Sequence, residues 1–555
     1  MVGIIIIIAP LLIYFLGAIT IDREEVKHPD EYFSAFRKVG KTEFASSSIA
    51  YGFQVSTIYP FLFWGASSFL FIPFINALCW GLGIILFYFS IEKIKKYLGS
   101  NYTLHGFIGE TYGDINRKIA SIITIIGFLG FLIAELWFGS RVLLAIVPSS
   151  NWLYLILFLF LIFIAGYLFL GGQLSSFRTD QLQLSITYIG IFGVIAYLLY
   201  LTIRNQVEIV PGLSWGVIIL CILIPVILSV RKFSFILIDD LWDKFLNTLV
   251  SFLFLIILSL SLYILFYSPT KFEFQNFVNL EGFGISGLLA LIILPLGWQF
   301  VDLSNWQRLL GVKENNKIDS NSDLKDGLFT YAIESPFTWI LFILFGLLAA
   351  NAFPNFSFDE VIIDFPNELI NSGILIDQVA GYIFIVSIIS IMLSTVDSFM
   401  MAIGFTYTYD LNSFARKILE NRNEKELRNN LNQIISKGKF FSFLIVLLGL
   451  VLFVFFDLAI EGGGQLFINL LLTFYSASLA FLPLILGKLF LKTPPSKNIA
   501  ALSMVLGAIT GISIGIYSVI WNPYFAWFPV IVSTLISSII FSIGIIMPVE
   551  KNGTY

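Results

Sequence analysis

About fifteen apolar runs, each close to the ~20 residues that cross a bilayer as helix, follow one another along this chain of 555 residues. That recurrence decides the fold class before any motif is read. Inside lipid every backbone N–H and C=O must be satisfied within the spanning structure, which leaves only helices and closed barrels. Barrel strands would be about half as long and would alternate in polarity. The chain therefore reads as an all-α membrane protein with the lipid bilayer as its solvent. The runs cover residues 3–21, 44–68, 69–91, 119–147, 152–171, 180–203, 213–230, 246–267, 285–307, 327–352, 375–404, 439–458, 464–487, 499–521 and 526–548. Composition agrees: 58% of residues are hydrophobic and only 12% charged, with a mean hydropathy of +0.90. A water-facing domain needs more polar surface than that.

Loop charges test the count independently. With the N-terminus outside, every Lys and Arg except Arg204, Lys271 and Arg141 falls in a cytoplasmic stretch or at its edge. This is the positive-inside pattern, and a miscounted span would scramble it. It puts the C-terminus in the cytoplasm of a multi-pass protein of a bacterial inner membrane. Run 3–21 has no basic residue before it and charges only after it, so it reads as a retained helix, not a cleaved signal. The longest polar stretch, 409–438, is a charged cytoplasmic connector.

Several function classes drop out. A net charge of −4 gives no reason to expect nucleic acid. Cys79 and Cys221 both lie inside apolar runs, which argues against a disulfide framework. His28 and His105 sit in polar loops far apart in sequence, so neither a transition-metal site nor an enzyme's catalytic constellation is expected, and no organic cofactor is implied.

Two spans carry corresponding breaks. The second contains Gly52 and Pro60 after Ser46, Ser47 and Ser48, and the ninth contains Pro295 and Gly297. Pro removes a backbone donor and crowds the carbonyl four residues back, and Gly weakens a helix further. By the charge-derived topology these spans run in opposite senses, and each is followed by four more. Two five-helix units of opposite topology emerge, an arrangement that in transporters places irregular backbone at the membrane midplane. The organisation is then a leading helix and cytoplasmic loop (1–43), a first repeat (44–203), an extra hairpin at 213–267 with flanking loops (204–284), a second repeat (285–487), and two trailing helices with a short tail (488–555).

Charge within the bilayer is expensive and marks function or a satisfied partner. Ser394, Asp397 and Ser398 stand at i, i+3 and i+4 on the eleventh span and share one helical face. Hydroxyls and a carboxylate on one face suit a small hard cation. Asp180, at the inner end of the sixth span, fits either such a site or a helix-dipole contact. Glu135 and Arg141, on the fourth span, point about 120° apart and are not an obvious mutual pair. Arg141 is placed to snorkel. Glu135 lies deeper, as a proton carrier, a solute contact or a buried structural partner.

Three local motifs resemble those of the sodium/solute symporter family. Gly171-Gly172 with Thr179-Asp180 and Gln183 is similar to "GG…TDxxQ". Asp302 followed by Trp306-Gln307-Arg308 and Lys313 is similar to "DQ…VQRxLxAK". Ser394-Thr395-Val396-Asp397-Ser398 is similar to "STxDS". The resemblance implies a leucine-transporter-type fold of 5+5 core helices with one leading and two trailing spans, and Na+ as the coupling ion. It implies a main sodium site made by carbonyls of Ser46, Ile49 and Ile391 with the hydroxyls of Ser394 and Thr395. It implies a second sodium position, used in some members, at Asp180, Ser394, Asp397 and Ser398. Leu303 replaces the family's Gln, Glu135 stands where a neutral residue such as Gln is expected, and the 213–267 hairpin is an addition.

A solute pocket between the breaks would draw on Phe53, Gln54, Glu135, Trp137, Trp298, Gln299, Gln465 and Asn469, a mixture that suits a small polar organic solute. The expectation is sodium-coupled symport into the cell. Proton coupling through Glu135 or Asp397, and a non-transporting membrane sensor, are the alternatives.

Overall fold

The computed structural model describes residues 2–19, 26–67, 71–98, 103–147, 149–205, 284–313, 322–353, 361–420, 424–459, 464–491, 494–522 and 525–546. Among them there is no β-strand, only a bridge between Val39 and Val312. Both spans of the expected 213–267 hairpin lie outside the described residues.

Ten helices among the described residues are long and apolar enough to cross a membrane. The difference from about fifteen has physical causes. The first run gives a shorter apolar helix, Ile5–Ala18. The second is split into two pieces. The runs at 152–171 and 180–203 form one kinked element, and the hairpin is not described.

The elements, in order, are α1 (Val2–Ile19), α2 (Pro29–Ser34), α3 (Lys41–Gly52), α4 (Val55–Ala66), α5 (Phe71–Leu98), α6 (Leu104–Tyr112), α7 (Asp114–Leu143) and α8 (Ser150–Asn205). Then follow α9 (Gly284–Val301), α10 (Leu303–Gly311), α11 (Ser322–Ala352), α12 (Val361–Asn371) and α13 (Leu375–Thr406), the last running into a π-helical turn, Tyr407–Leu411. The chain continues through α14 (Ser413–Glu420), α15 (Glu424–Ala459), α16 (Gly464–Leu479), α17 (Leu482–Phe490), α18 (Lys497–Ile520) and α19 (Phe528–Ile546).

Gly172 divides α8 into two arms, at φ 62 and ψ −150. Only glycine tolerates that backbone, and a Cβ there would stand 2.4 Å from the Tyr32 carbonyl oxygen. The kink thus depends on the double-glycine motif.

Packing exchanges between the halves. α4 packs on α11 while α9 packs on α5, and α7 packs on α16 while α8 packs on α13. The first and second helices of each unit trade partners, as do the third and fifth, as an inverted repeat requires. At the α4–α11 crossing, Gly65 lies against the Ile343 carbonyl and Gly346 against the Leu62 carbonyl, where added Cβ atoms would meet oxygen at 2.0 Å. Without a hydrophobic force between helices in lipid, such small residues let backbones approach closely enough for dispersion and polar contacts to hold them. Outward faces carry exposed apolar groups such as Leu16, Phe89, Phe455 and Ile539, the surface a bilayer covers. The chain is a multi-pass membrane protein.

A short connection ties the broken helices together. The loop before α3 pairs with the end of α10 through Val39 N to Gly311 O at 2.8 Å and Lys313 N to Val39 O at 2.9 Å.

Candidate functional site

The first break is two residues long. α3 ends at Gly52, and Phe53 and Gln54 leave helical geometry with ψ values of 75 and 138. Restarting a helix at Val55 exposes N–H groups with no intrahelical acceptor. Glu135 of α7 supplies one. The Val55 N–H donates to Oε1 at 2.9 Å and the Ser56 N–H to Oε2 at 3.0 Å, while Ser56 Oγ donates to Oε2 at 2.9 Å. Glu135 is wholly buried. In the structure it acts as an N-terminal cap on α4.

The second break falls at Asp302, not at Pro295 or Gly297. α9 continues through both of those residues, since membrane helices tolerate proline where neighbours re-satisfy the freed groups. What ends α9 is a competing cap. Asp302 Oδ1 accepts from the Ser304 N–H at 2.9 Å and starts α10, and Tyr51 Oη donates to the same oxygen at 3.1 Å. Three buried polar atoms here, Asp302 Oδ2, Gln299 Nε2 and Ser304 Oγ, make no hydrogen bond of normal geometry among the described residues, although Trp298, Tyr331 and Tyr51 stand near their side chains.

The hydroxyl face of α13 is turned toward α3. Ser394 Oγ donates to Asp180 Oδ1 at 2.5 Å, and Ser47 Oγ of α3 donates to Asp180 Oδ2 at 2.5 Å. Asp180, on the second arm of α8, is thereby a clamp between the two helices and not a mere helix-dipole contact. Ser46, next to Ser47, is fully buried, and its Oγ has no partner among the described residues. Thr395 Oγ1 donates to the Ile391 carbonyl at 3.1 Å, and the Ile49 carbonyl accepts from Phe53 N at 3.2 Å.

Asp180, Ser394, Asp397 and Ser398 do come together, with an unexpected occupant. Arg308 of α10, 1% exposed, donates from Nη2 to Ser398 Oγ at 2.6 Å and from Nε to Ser47 Oγ at 3.0 Å. Its Nη2 stands 3.7 Å from Asp180 Oδ2, and the guanidinium lies 4.4 Å over the Tyr51 ring. Asp397 accepts from Tyr167 at 2.6 Å, Ser176 at 3.1 Å and Ser398 at 3.3 Å. The carboxylates are met by protein donors, and the fixed positive charge among them belongs to the chain.

The expected solute residues separate into groups. Gln54 and Trp298 stay beside the breaks: Tyr475 Oη donates to Gln54 Oε1 at 3.3 Å, and Trp298 packs edge-on against the Tyr475 ring at 4.4 Å. Gln299 is also there, its Oε1 accepting from Asn305 at 2.9 Å. Phe53 faces away into an aromatic wall of Tyr188, Trp339 and Phe342. Trp137 stacks on Phe467 at 4.2 Å, and the Arg141 guanidinium lies 4.8 Å from its ring. Asn469 is buried on α16, and the side chain of Gln465 lies outside the described residues. A cavity adjoins the Gln54–Tyr475 contact, bounded by Thr57, Phe61, Trp80, Leu291 and Trp527.

Other expectations change. Arg141 does not simply snorkel: its Nη2 meets Asp457 Oδ1 at 2.5 Å, and Tyr154 donates to Asp457 Oδ2 at 2.7 Å. His105 is not in a polar loop. It is fully buried on α6 and joins Asp410 at 3.0 Å and Thr124 at 2.9 Å, while Arg117 reaches Asp410 at 2.7 Å. Among the described residues no cluster of three or more His, Cys, Asp or Glu could hold a metal ion. Ser47, Tyr51, Arg308 and Tyr475 were missed as site residues. Arg308 carried a signal, since it stands in the motif with Asp302, Trp306 and Gln307.

No family model matches the chain, and no curated protein matches it. Among solved structures, the fold is similar to that of a Na+-coupled sialic acid symporter in a substrate-bound outward-open state. The likeness covers 98% of this chain and 97% of that one, at a TM-score of 0.62 and 14% sequence identity. Over nearly its whole length, then, this chain shares the leucine-transporter-type fold of that structure.

Proposed function

We propose that the protein is a secondary active transporter that carries a small polar organic solute into the cell by symport with sodium. The observation that carries this reading is the convergence of Ser47 and Ser394 on buried Asp180, beside the broken helix. Oxygen atoms from three helices meet where lipid-embedded proteins rarely gather polar groups without a use. Carbonyls of Ser46, Ile49 and Ile391 with the hydroxyls of Ser394 and Thr395 form the sodium site in this reading. The halves of the repeat are then 44–203 and 285–487, with the N-terminus outside and the C-terminus in the cytoplasm.

Sodium entering from outside is drawn inward by concentration and by potential, worth about 2.3 kcal/mol per charge per 100 mV. It couples only if it binds the outward- and inward-facing states unequally. A cation joining α3 to α13 does so, because the two helices belong to opposite repeats whose separation changes between states. At the position where a second sodium was expected, the Arg308 guanidinium supplies the positive charge, so the reading is one sodium per cycle.

The test uses wild-type protein in proteoliposomes, with uptake measured for a panel of labelled amides, amines, polyols, amino acids and carboxylates. A solute accumulated under an inward sodium gradient, and less in Ser394→Ala and Thr395→Ala protein that inserts normally, is the expected result. Uptake driven by a pH gradient without sodium would instead make it a proton symporter using the same fold.

A further inference from the structure

The N-terminus of the outer half of a broken transporter helix is a ready anion site. Its free N–H groups and the positive end of the helix dipole point into the midplane, and in transporters of this architecture they hold anionic groups of the solute. Here that site is already filled. Both oxygens of Glu135 are engaged by the first turn of α4, through the N–H groups of Val55 and Ser56 and the hydroxyl of Ser56. The next two amides, of Thr57 and Ile58, bond to the Gln54 carbonyl at 2.9 and 2.8 Å. A second carboxylate arriving there would find no donor and would meet a like charge, which costs several kcal/mol in a buried site.

Three of the buried polar atoms without a hydrogen-bond partner among the described residues lie together in sequence at the other break, and their chemistry is complementary to this exclusion. Asp302 Oδ2 is an acceptor, Gln299 Nε2 a donor, and Ser304 Oγ either. The three side chains are at most 1% exposed, so a leftover hydrogen-bonding group here is costly unless a ligand meets it. A carboxylate acceptor and an amide donor at one helix break suit a group that both donates and accepts, as a carboxamide or urea does. A primary amine would satisfy the carboxylate alone.

From these two observations we infer that Glu135 is a built-in carboxylate that occupies the anion site, and that the transported solute carries no carboxylate of its own. Its class is a neutral or cationic hydrogen-bond donor of the amide, urea or amine type. Glu135 acts as a specificity-determining residue by standing in for part of the solute. This inference rests on the transport reading for its solute class, while the occupancy of the helix terminus stands on its own geometry.

The experiment has two arms. In the first, detergent-purified wild type and Glu135→Ala are followed by thermal shift with sodium formate or sodium acetate against sodium chloride at matched sodium. The expected result is a saturable rise in Tm of Glu135→Ala with formate or acetate, and no difference between the salts for wild type. Equal carboxylate responses in both proteins, or none in Glu135→Ala, overturn the assignment. Should Glu135→Ala not fold, Glu135→Gln, which keeps one acceptor, replaces it, with a formate response intermediate between the two expected.

In the second arm, wild type in proteoliposomes is offered matched pairs, prolinamide against proline and glycinamide against glycine, together with urea and putrescine. Sodium-driven accumulation restricted to members without a carboxylate, by at least about tenfold over their acids, supports the inference. Preferred accumulation of proline or glycine overturns it while leaving the transport reading intact. If sodium drives no member, the transport reading and with it the solute class fall, and the formate arm decides the role of Glu135 alone.

Discussion

Replacing Arg308 with Met removes a buried cation while preserving most of the side chain's volume. The guanidinium bonds to Ser47, Ser398 and the Ser304 carbonyl and stands 3.7 Å from Asp180. Without it, Asp180 and Asp397 share a wholly buried site with hydroxyl donors but no positive charge. Removing one partner from such a buried arrangement costs about 3–5 kcal/mol. Sodium should recover part of that loss, because the oxygens of Asp180, Ser394, Asp397 and Ser398 are already gathered. An ion at 100 times its dissociation constant adds about 2.7 kcal/mol. The assay is unfolding of purified protein across a sodium titration, with choline chloride holding ionic strength constant. Wild type should show the sodium dependence of one bound ion. Arg308→Met should be less stable in choline, and its stability should rise with the steeper dependence of two ions. Arg308→Lys keeps the charge but lacks the fork that meets three acceptors at once, so it should lose less stability and keep the one-ion dependence. Arg308→Met that matches wild type in choline, or that retains a one-ion slope, would refute the idea that a guanidinium holds the second cation position.

Two further substitutions probe the scaffold. Gly172→Ala places a Cβ 2.4 Å from the Tyr32 carbonyl at a backbone φ of 62, so thermal unfolding should show a loss of about 1–3 kcal/mol. Gly346→Ala drives a Cβ to 2.0 Å from the Leu62 carbonyl, where backbone cannot yield without separating α4 from α11; it should cost about 1–3 kcal/mol and reduce uptake. Gly193→Ala, whose Cβ meets nothing within 4 Å, serves as the control that leaves both readouts unchanged.

The spans were legible because lipid enforces them: a helix that must satisfy its own backbone needs a long uninterrupted apolar run, and such runs show in any window of the sequence. The ends of the helices were less so. The break at Phe53–Gln54 was signalled by its neighbour Gly52, but the one at Asp302 depends on a carboxylate folding back onto the Ser304 amide, which competes successfully with helix continuation. Nearby Pro295 drew attention for a local defect that α9 absorbs. The kink at Gly172 was read as a loop between two spans, since composition does not distinguish a sharp bend from a connection.

At the site, the shared face of Ser394, Asp397 and Ser398 follows from helical spacing alone. What faces it does not. Arg308 was counted among cytoplasmic charges because a lone arginine near a span's end is normally hydrated, and only the α10 fold brings it over Tyr51 and between Ser47 and Ser398. Glu135 stayed ambiguous for a related reason. Its partners, the amides of Val55 and Ser56, lie about eighty residues earlier and become donors only once the helix is broken. His105 shows the converse error, a polar-looking segment buried by its contact with Asp410.

Equilibrium binding of radioactive sodium to the purified chain goes straight to the cation between α3 and α13. The account predicts saturable binding of one ion per chain, displaced by unlabelled sodium but not by potassium or choline, and abolished in Ser394→Ala. Absence of saturable binding, or binding that survives that substitution undiminished, would contradict it.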